Sequence, residues 1–424
     1  MFLISMPAAA AQDPGAKGRP NYLRDSLLGI LPLLLGIQFF ASLTFISAAL
    51  RGHADFRQLY AAGYLVRTGQ GYRLYDYRAQ KSVQDALASR DERALPFIRP
   101  AYQALIFVPF SLVRFRTAYL IFLALNVLLL AVCYWLLRAH LTRLKEAWWG
   151  LPTALFLAFY PIALALLQGQ DSVLLLTLLC AALLSLDAEH EFAAGLLVGL
   201  GLFKFQIVIP IAVLFFAWRR WAFSLGFVIS SASVSLLSVA VVGWGQTITF
   251  ARALFSVGAG VETAQFPTFP LRVSLMANLR GLVTAVVDGR VPAIWLQSAT
   301  LLLSVLVITW LVTRVPRTLP TPELFSVAVT ASVVTSYYLF IHDLSVLLIP
   351  ILLTLDRFMN SCGRPGRLTG WLAVLMFVAP MCLFLMPAHF YLLALLVCAF
   401  VAFQVRTLAS GVIGSGVPAA LGMP

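Results

Sequence analysis

The stretch HADFRQLYAAGYLVRTGQGYRLYD, His53 to Asp76, decides how this chain is read. It is the first strongly polar segment after a long hydrophobic run. Asp55 stands at its head, where a membrane helix hands over to water. Phe56, Leu59, Tyr60, Gly63 and Tyr64 recur at i, i+3, i+4, i+7 and i+8, the spacing of one helical face. The pattern predicts an amphipathic helix lying on a membrane surface, ended by Gly69 and Gly71.

Composition agrees with a membrane setting. Of 424 residues, 61% are hydrophobic and only 11% charged, whereas a soluble domain carries roughly 25% charged residues. Too few polar side chains remain to cover a water-facing surface. The net charge of +13 is scattered over short loops, which reads as cytoplasmic anchoring; no soluble basic face exists for nucleic acid. Cys133, Cys180, Cys362, Cys382 and Cys398 form no CxxC, so neither a disulfide framework nor a zinc site is signalled. The opening MFLISMPAAAAQ lacks basic residues before its apolar run and reads as a tail rather than a signal peptide.

A hydrocarbon core of about 30 Å needs about 20 helical residues. Lys17, Arg19 and Arg24 precede the first such run, Leu27 to Leu50, which puts the N-terminus inside. Residues 1–24 are then a disordered cytoplasmic tail, and 51–116 an extracytoplasmic loop with surface helices. At the end of that loop FIRPAYQALIFVPFSLV, broken by Pro100 and Pro109, reads as interfacial or half-inserted. Thr117 to Leu137 crosses next. Trp148 to Leu167 and Ser172 to Leu186 form a hairpin turning at Gln168-Gly169-Gln170-Asp171.

Phe192 to Trp218 carries Lys204 at its middle. A straight helix would bury that ammonium at a cost of roughly 3 kcal/mol or more and put Arg219 and Arg220 outside. Two short helices meeting near Lys204 keep both ends cytoplasmic. Broken backbone at that depth is tolerated only beside protein or a wet cavity, so Lys204 is expected to line a cavity.

Trp221 to Trp244 leads into a second external loop, 245–290, with Glu262, Arg272, Asn278 and Arg280. Val291 to Val312 returns, Leu324 to Ile341 leads out to His342-Asp343, and Leu344 to Leu355 comes back. Trp371 to Leu385 and Tyr391 to Val405 make a last hairpin turning at Pro387-Ala388-His389, before a cytoplasmic tail, 407–424. The expected fold is an all-α polytopic membrane domain over 25–406, with about twelve crossings, some short or broken. Both termini lie in the cytoplasm, and no internal repeat of the transporter kind is evident.

On this topology His53, Asp55, Gln170, Asp171, Asn278, Arg280, His342, Asp343 and His389 share the extracytoplasmic side, and Lys204 points toward it. Each has a plainer role available. Asp55-x-x-Gln58 resembles a capping box, Gln168 to Asp171 could be only a turn, and Lys204 could snorkel. Asp343 could cap the helix that follows, Arg280 could bind lipid headgroups, and His389 could be structural. None of these roles accounts for the shared side.

In order, Asp55, AAGYLVRTGQGYRLYD, the Pro-containing segment, GQDSVLLLTLL, AAGLLVGLGLFKFQ, MANLRGL and HDLSVLLIP resemble the polyprenyl-phosphate-mannose-dependent mannosyltransferases. These form glycosyltransferase family 87 of the GT-C superfamily, and the resemblance runs from about His53 to Pro350. Ser172 departs from the family's GQxN, and RPAY stands where Tyr-Pro-Pro is common. The resemblance implies a GT-C-like fold with an extracytoplasmic site and an inverting transfer of a hexose, mannose first, from a polyprenyl-phosphate donor. The acceptor is a lipid-linked or envelope glycan. It also implies that Asp55, an acidic residue in the first external loop, is the catalytic candidate.

The chemistry suits a site poor in acids. A glycosidase must protonate its leaving group and needs two carboxylates, whereas a sugar phosphate leaves as a stable anion. One base and some positive charge suffice. Asp55 and His342 compete for the base, the histidine's reference pKa of about 6.5 lying nearer neutrality than about 3.9 for aspartate. Lys204 and Arg280 are the expected clamp on the donor phosphate. His53, Gln170, Asp171, Asn278 and Asp343 are candidates for sugar or acceptor hydroxyls. No cofactor is called for, and metal dependence is left open. The partners are the lipid-phosphate donor, the acceptor and membrane lipids in a bacterial-type inner or plasma membrane, without nucleic acid. A lipid-linked substrate transporter or flippase, marked by an intramembrane lysine, and a non-enzymatic envelope-assembly protein are the rival classes.

Overall fold

A computed structural model describes residues 22–90, 93–259, 273, 276–287, 291–316, 319, 321–359, 364–384, 386 and 389–414. Glu262, Arg272, Cys362, Pro387, Ala388 and most of the N-terminal tail lie outside the described residues. Within them the regular structure is all helical, with no strand. The first half holds α1 (Tyr22–Ala48), α2 (Phe56–Arg67), α3 (Tyr77–Leu87), α4 (Tyr102–Phe107), α5 (Phe115–Leu137), α6 (Thr142–Ala147), α7 (Leu151–Ala158), α8 (Tyr160–Gln168) and α9 (Ser172–Asp187). Then come α10 (Glu191–Leu200), α11 (Phe205–Ala217), α12 (Trp221–Val242), α13 (Trp244–Ala259), α14 (Leu279–Val287) and α15 (Ala293–Arg314). The chain closes with α16 (Thr321–Thr335), α17 (Leu348–Phe358), α18 (Arg364–Phe384) and α19 (Leu392–Gly414). This last helix runs past Arg406, where the sequence reading ends it.

Six described helical stretches are long and apolar enough to span a membrane, and the bent pair α7–α8 adds a seventh. Other crossings expected from the sequence fall on shorter apolar helices such as α9 and α16. Leu128, Leu236, Trp295 and Leu301 are among many large apolar side chains on the outer surface, as lipid solvation allows. On α1 the buried residues Leu23, Leu27, Leu31, Leu34 and Gln38 follow a helical stripe that faces the bundle.

Gln38 shows why that stripe includes an amide. The α7–α8 axis bends by 55° around Phe159, and Pro161 supplies no N–H for a helical bond. The Ile162 N–H, which in an unbroken helix would meet the Ala158 carbonyl, bonds the Phe159 carbonyl instead, and Gln38 Nε2 donates to the freed Ala158 oxygen at 2.5 Å. A neighbouring side chain thus satisfies backbone that lipid could not.

Lys204 marks a reversal in the chain. Glu191–Ala217 is a 27-residue run long and apolar enough to span a membrane, which as a straight helix would separate its ends by about 40 Å. Instead Arg220, just after it, donates from Nη1 to Glu191 Oε1 at 2.7 Å. The segment therefore returns to the end it left, with the 3-10 turn Gly201–Lys204 at its apex. The expected pair of half-helices is present, and α10 can run alongside α12. Their crossing is close: a Cβ on Gly195 would meet the Phe223 carbonyl oxygen at 2.0 Å, and one on Gly226 would meet the Phe192 carbonyl oxygen at 2.1 Å. Only glycine fits at either position.

The amphipathic α2 forms where its spacing predicts. Its stripe is covered by protein, not lipid: Phe56 lies within 5.1–6.2 Å, ring to ring, of Phe107, Phe110, Phe115, Tyr119 and Phe122. The segment of the two prolines folds back as α4 and a 3-10 turn, Pro109–Leu112, over α2. That cover makes α2 a fixed wall and holds its N-terminus against the bundle. At the far end of the bundle His140 approaches Asp187 at 2.5 Å, Asp356 accepts from the Leu144 N–H at 2.9 Å, and Arg357 pairs with Glu323.

Candidate active site

Four separate tips of the chain meet at the end opposite those ties. The first is the N-terminus of α2. Asp55 has helical backbone angles, φ −62° and ψ −20°, and its side chain makes no capping bond, so the capping box offered as its plainer role does not form. Its carboxylate instead accepts at Oδ2 from Gln170 Nε2 at 2.7 Å.

Gln170 and Asp171 belong to the turn between α8 and α9. Gly169 makes that turn with φ 61°. A Cβ there would meet Phe56 Cβ at 2.7 Å, so glycine serves both the left-handed backbone and the approach to α2. Arg99, before α4, spans both turn residues with its fork: one nitrogen donates to Gln170 Oε1 at 3.0 Å, the other to Asp171 Oδ2. Gln103, one helical turn on, donates to the same Asp171 oxygen.

Lys204 arrives from the apex between α10 and α11. Its Nζ lies 3.2 Å from Asp171 Oδ1 and 2.6 Å from Asp343 Oδ1, and the residue is only 3% exposed. Asp343, in the 3-10 segment Ile341–Leu347, also accepts from the Phe340 N–H at 3.1 Å and from Ser172 Oγ at 3.4 Å. Asp343 thus closes the start of its own 3-10 segment rather than capping the helix that follows, alongside its ion pair. Beside it His342 places Nδ1 3.1 Å from Gln168 Oε1 and Nε2 3.6 Å from Asp343.

Asp55, Arg99, Gln170, Lys204, His342 and Asp343 are among the residues lining a cavity of about 400 Å³. Leu95, Pro96, Ile98, Leu164, Phe203 and Tyr338 supply much of its apolar wall. Among the charged groups, Arg99 and Lys204 face three carboxylates, and Asp55 is the one held by an amide rather than by a cation. Burial pushes the His342 imidazole down to about 4, despite the opposing pull of Asp343. Its advantage over an ordinary carboxylate near 3.9 is thereby removed. Among the described residues no group of three or more His, Cys, Asp or Glu is arranged to hold a metal.

The structure thus brings together Asp55, Gln170, Asp171, Lys204, His342 and Asp343, and leaves other candidates apart. Asn278 is fully buried; its Oδ1 accepts from the Gly281 N–H at 3.0 Å, and its Nδ2 donates to the Ser336 carbonyl at 2.8 Å. It caps α14 and ties it to α16. Arg280 lies over the Tyr337 ring at 4.3 Å and 5.5 Å from that of Tyr338, outside the cavity lining. His53 is half-buried and also outside it; His389 is exposed, 3.4 Å from the Tyr391 hydroxyl. Sequence reading missed Arg99, Gln103 and the contact of Gln168. The signal was two polar side chains, Arg99 just before α4 and Gln103 in its first turn, in a segment otherwise apolar.

The model of glycosyltransferase family 87 matches residues 97–336, more than half of the chain. The chain belongs to glycosyltransferase family 87. As a family 87 protein it is a membrane glycosyltransferase, with a sugar donor and an acceptor as its substrates. The family match takes in Arg99, Gln170, Asp171 and Lys204, and is narrower than the resemblance from about His53 to Pro350. Asp55 lies before it, His342 and Asp343 after it, joined to it by the contacts above. Comparison with curated proteins and with solved structures returns no match.

Proposed function

We propose that this family 87 glycosyltransferase moves a hexose, mannose by family resemblance, from a polyprenyl-phosphate donor to a lipid-linked or envelope glycan acceptor. The site faces the extracytoplasmic side, and Asp55 is the base. The observation that carries the reading is the state of Asp55: its side chain caps no helix, one oxygen is held by Gln170, and the group lines the cavity.

In the transfer, the acceptor oxygen attacks the anomeric carbon from the face opposite the phosphate. The carbon–oxygen bond to phosphate breaks, its electron pair leaves on the phosphate, and the hydroxyl proton passes to Asp55. The sugar inverts. As the phosphodiester becomes a phosphomonoester, the new negative charge appears while Asp55 is neutralised, so the total charge in the cavity is unchanged. Lys204 and Arg99 line the cavity beside Asp55, which Arg280 does not, and in this reading they supply the local positive potential. Both also hold Asp171, so in this reading their first duty is to fix the cavity wall. Gln170 and Asp343 are likewise assigned to positioning rather than to sugar hydroxyls.

The test is Asp55→Asn in purified protein, assayed by transfer of radiolabel from polyprenyl-phosphate mannose into lipid-linked product. Asparagine keeps an oxygen for Gln170 and cannot take the proton. A fall of roughly 10²–10⁴-fold in turnover is expected for loss of a general base, with normal elution and melting. Near-full turnover would remove Asp55 from the role.

A further inference from the structure

We infer that Arg99 is a positioning residue that acts on Asp55 through Gln170, by fixing which face of the Gln170 amide the carboxylate meets. This inference rests on the reading of Asp55 as base.

The argument begins with the donor inventory. A guanidinium only donates and a carboxylate only accepts, whereas a primary amide does one on each side. Gln170 lies between them, 2% exposed, with Oε1 3.0 Å from Arg99 and Nε2 2.7 Å from Asp55 Oδ2. Amide orientation is ordinarily ambiguous by 180°. Here both neighbours dictate it: the flipped amide would set NH₂ against guanidinium and oxygen against carboxylate. Arg99 is itself held, because its other prong and Gln103 both meet Asp171 Oδ2, and Lys204 approaches the other Asp171 oxygen.

Orientation matters for the proton. Gln170 occupies Oδ2 of Asp55, and no hydrogen bond among the described residues reaches Oδ1. The carboxylate is therefore held by one oxygen and presents the other to the cavity. Without Arg99 the amide could turn its oxygen toward Asp55, and the carboxylate would lose its tether and rotate. The expected defect is in turnover rather than in donor binding.

Arg99→Lys tests this with little disturbance of charge. Lysine keeps a positive charge for Asp171 but not the fork that reaches Gln170 as well. Full-length protein in detergent is assayed with radiolabelled polyprenyl-phosphate mannose and a membrane-lipid extract as acceptor source. The variants are Arg99→Lys, Gln170→Met, the pair together, and Asp55→Asn. Arg99→Lys and Gln170→Met should each lower kcat by about 10–100-fold, as loss of a supporting shell does, with donor KM unchanged. The pair should fall no more than about twofold below Gln170→Met, since residues acting in one chain are not additive. Losses that multiply, or full kcat in Arg99→Lys, overturn the inference. An Asp55→Asn variant with full turnover overturns the underlying reading instead. An inactive Asp55→Asn beside multiplying losses overturns only the relay.

Discussion

Lys204 Nζ lies 2.6 Å from Asp343 Oδ1, although 139 residues separate them in the chain. With Asp171 at 3.2 Å on the other side, the ammonium joins the α8–α9 turn, the α10–α11 apex and the segment before α17. A buried charge of this kind stabilises only while its partners are present.

Replacing it should therefore be costly. Lys204→Met leaves Asp171 and Asp343 facing each other without their shared cation, and breaking such a group costs about 3–5 kcal/mol. A large fall in melting temperature in detergent is expected. Adding Asp343→Asn should recover part of the loss, because one uncompensated charge is removed. If Lys204→Met melts like the parent, the ammonium does not hold these segments together.

The turn-back at Lys204 makes a topological prediction. Single cysteines at His190 and Arg220, in a background without the native cysteines, should react with a membrane-impermeant maleimide from the same side of sealed vesicles. Labelling from opposite sides would mean that Glu191–Ala217 crosses once, against the Arg220–Glu191 contact.

Glycine at the α10–α12 crossing should be irreplaceable. Gly195→Ala pushes a methyl into the Phe223 carbonyl and should destabilise by about 1–3 kcal/mol, the usual range for overpacking. Gly36→Ala is the control. Nothing lies within 4 Å of that position, and alanine in an open helical site is neutral or stabilising by up to about 1 kcal/mol. Equal melting of the two variants would contradict the close crossing.

His342 links stability to pH in one direction. Its imidazole is held neutral in the folded protein, down to about 4 against an ordinary 6.5. Above 6.5 neither state binds the proton, and stability is at its full value. As pH falls from 6.5 toward 4 the unfolded chain protonates first, and up to roughly 3 kcal/mol is lost. His342→Gln should abolish that part. Melting curves at about pH 7.5 and about pH 4.5 should draw together in the variant relative to the parent. An unchanged gap would show that His342 titrates normally.

Some of this was legible before the structure, and the reason differs by residue. The reversal at Lys204 followed from run length and flanking charge, because the cost of a buried lysine leaves few arrangements. The face of α2 followed from its period, but a period does not say whether lipid or protein covers it; five rings brought by later segments do. That the polar tips share an end was readable from topology, while their pairing was not, since nothing local to Lys204 names Asp171 and Asp343. Arg99 escaped because an arginine beside a proline at the edge of an apolar run looks like an interfacial anchor. Asn278 was given to sugar on account of its loop, although an Asn three residues before Gly281 is also a helix cap, and the cap is what forms.

The distance in sequence between Lys204 and Asp343 also sets an order of assembly. During synthesis Asp171 precedes the lysine, which then waits through six further helices, α11 to α16, before its second counter-charge exists. Until then the nascent chain carries a lysine at its apex with an incomplete complement of acids. A chain stopped short of residue 343 exposes that imbalance permanently. The arrangement that shapes the finished cavity thus doubles as a mark by which an unfinished protein differs from a complete one.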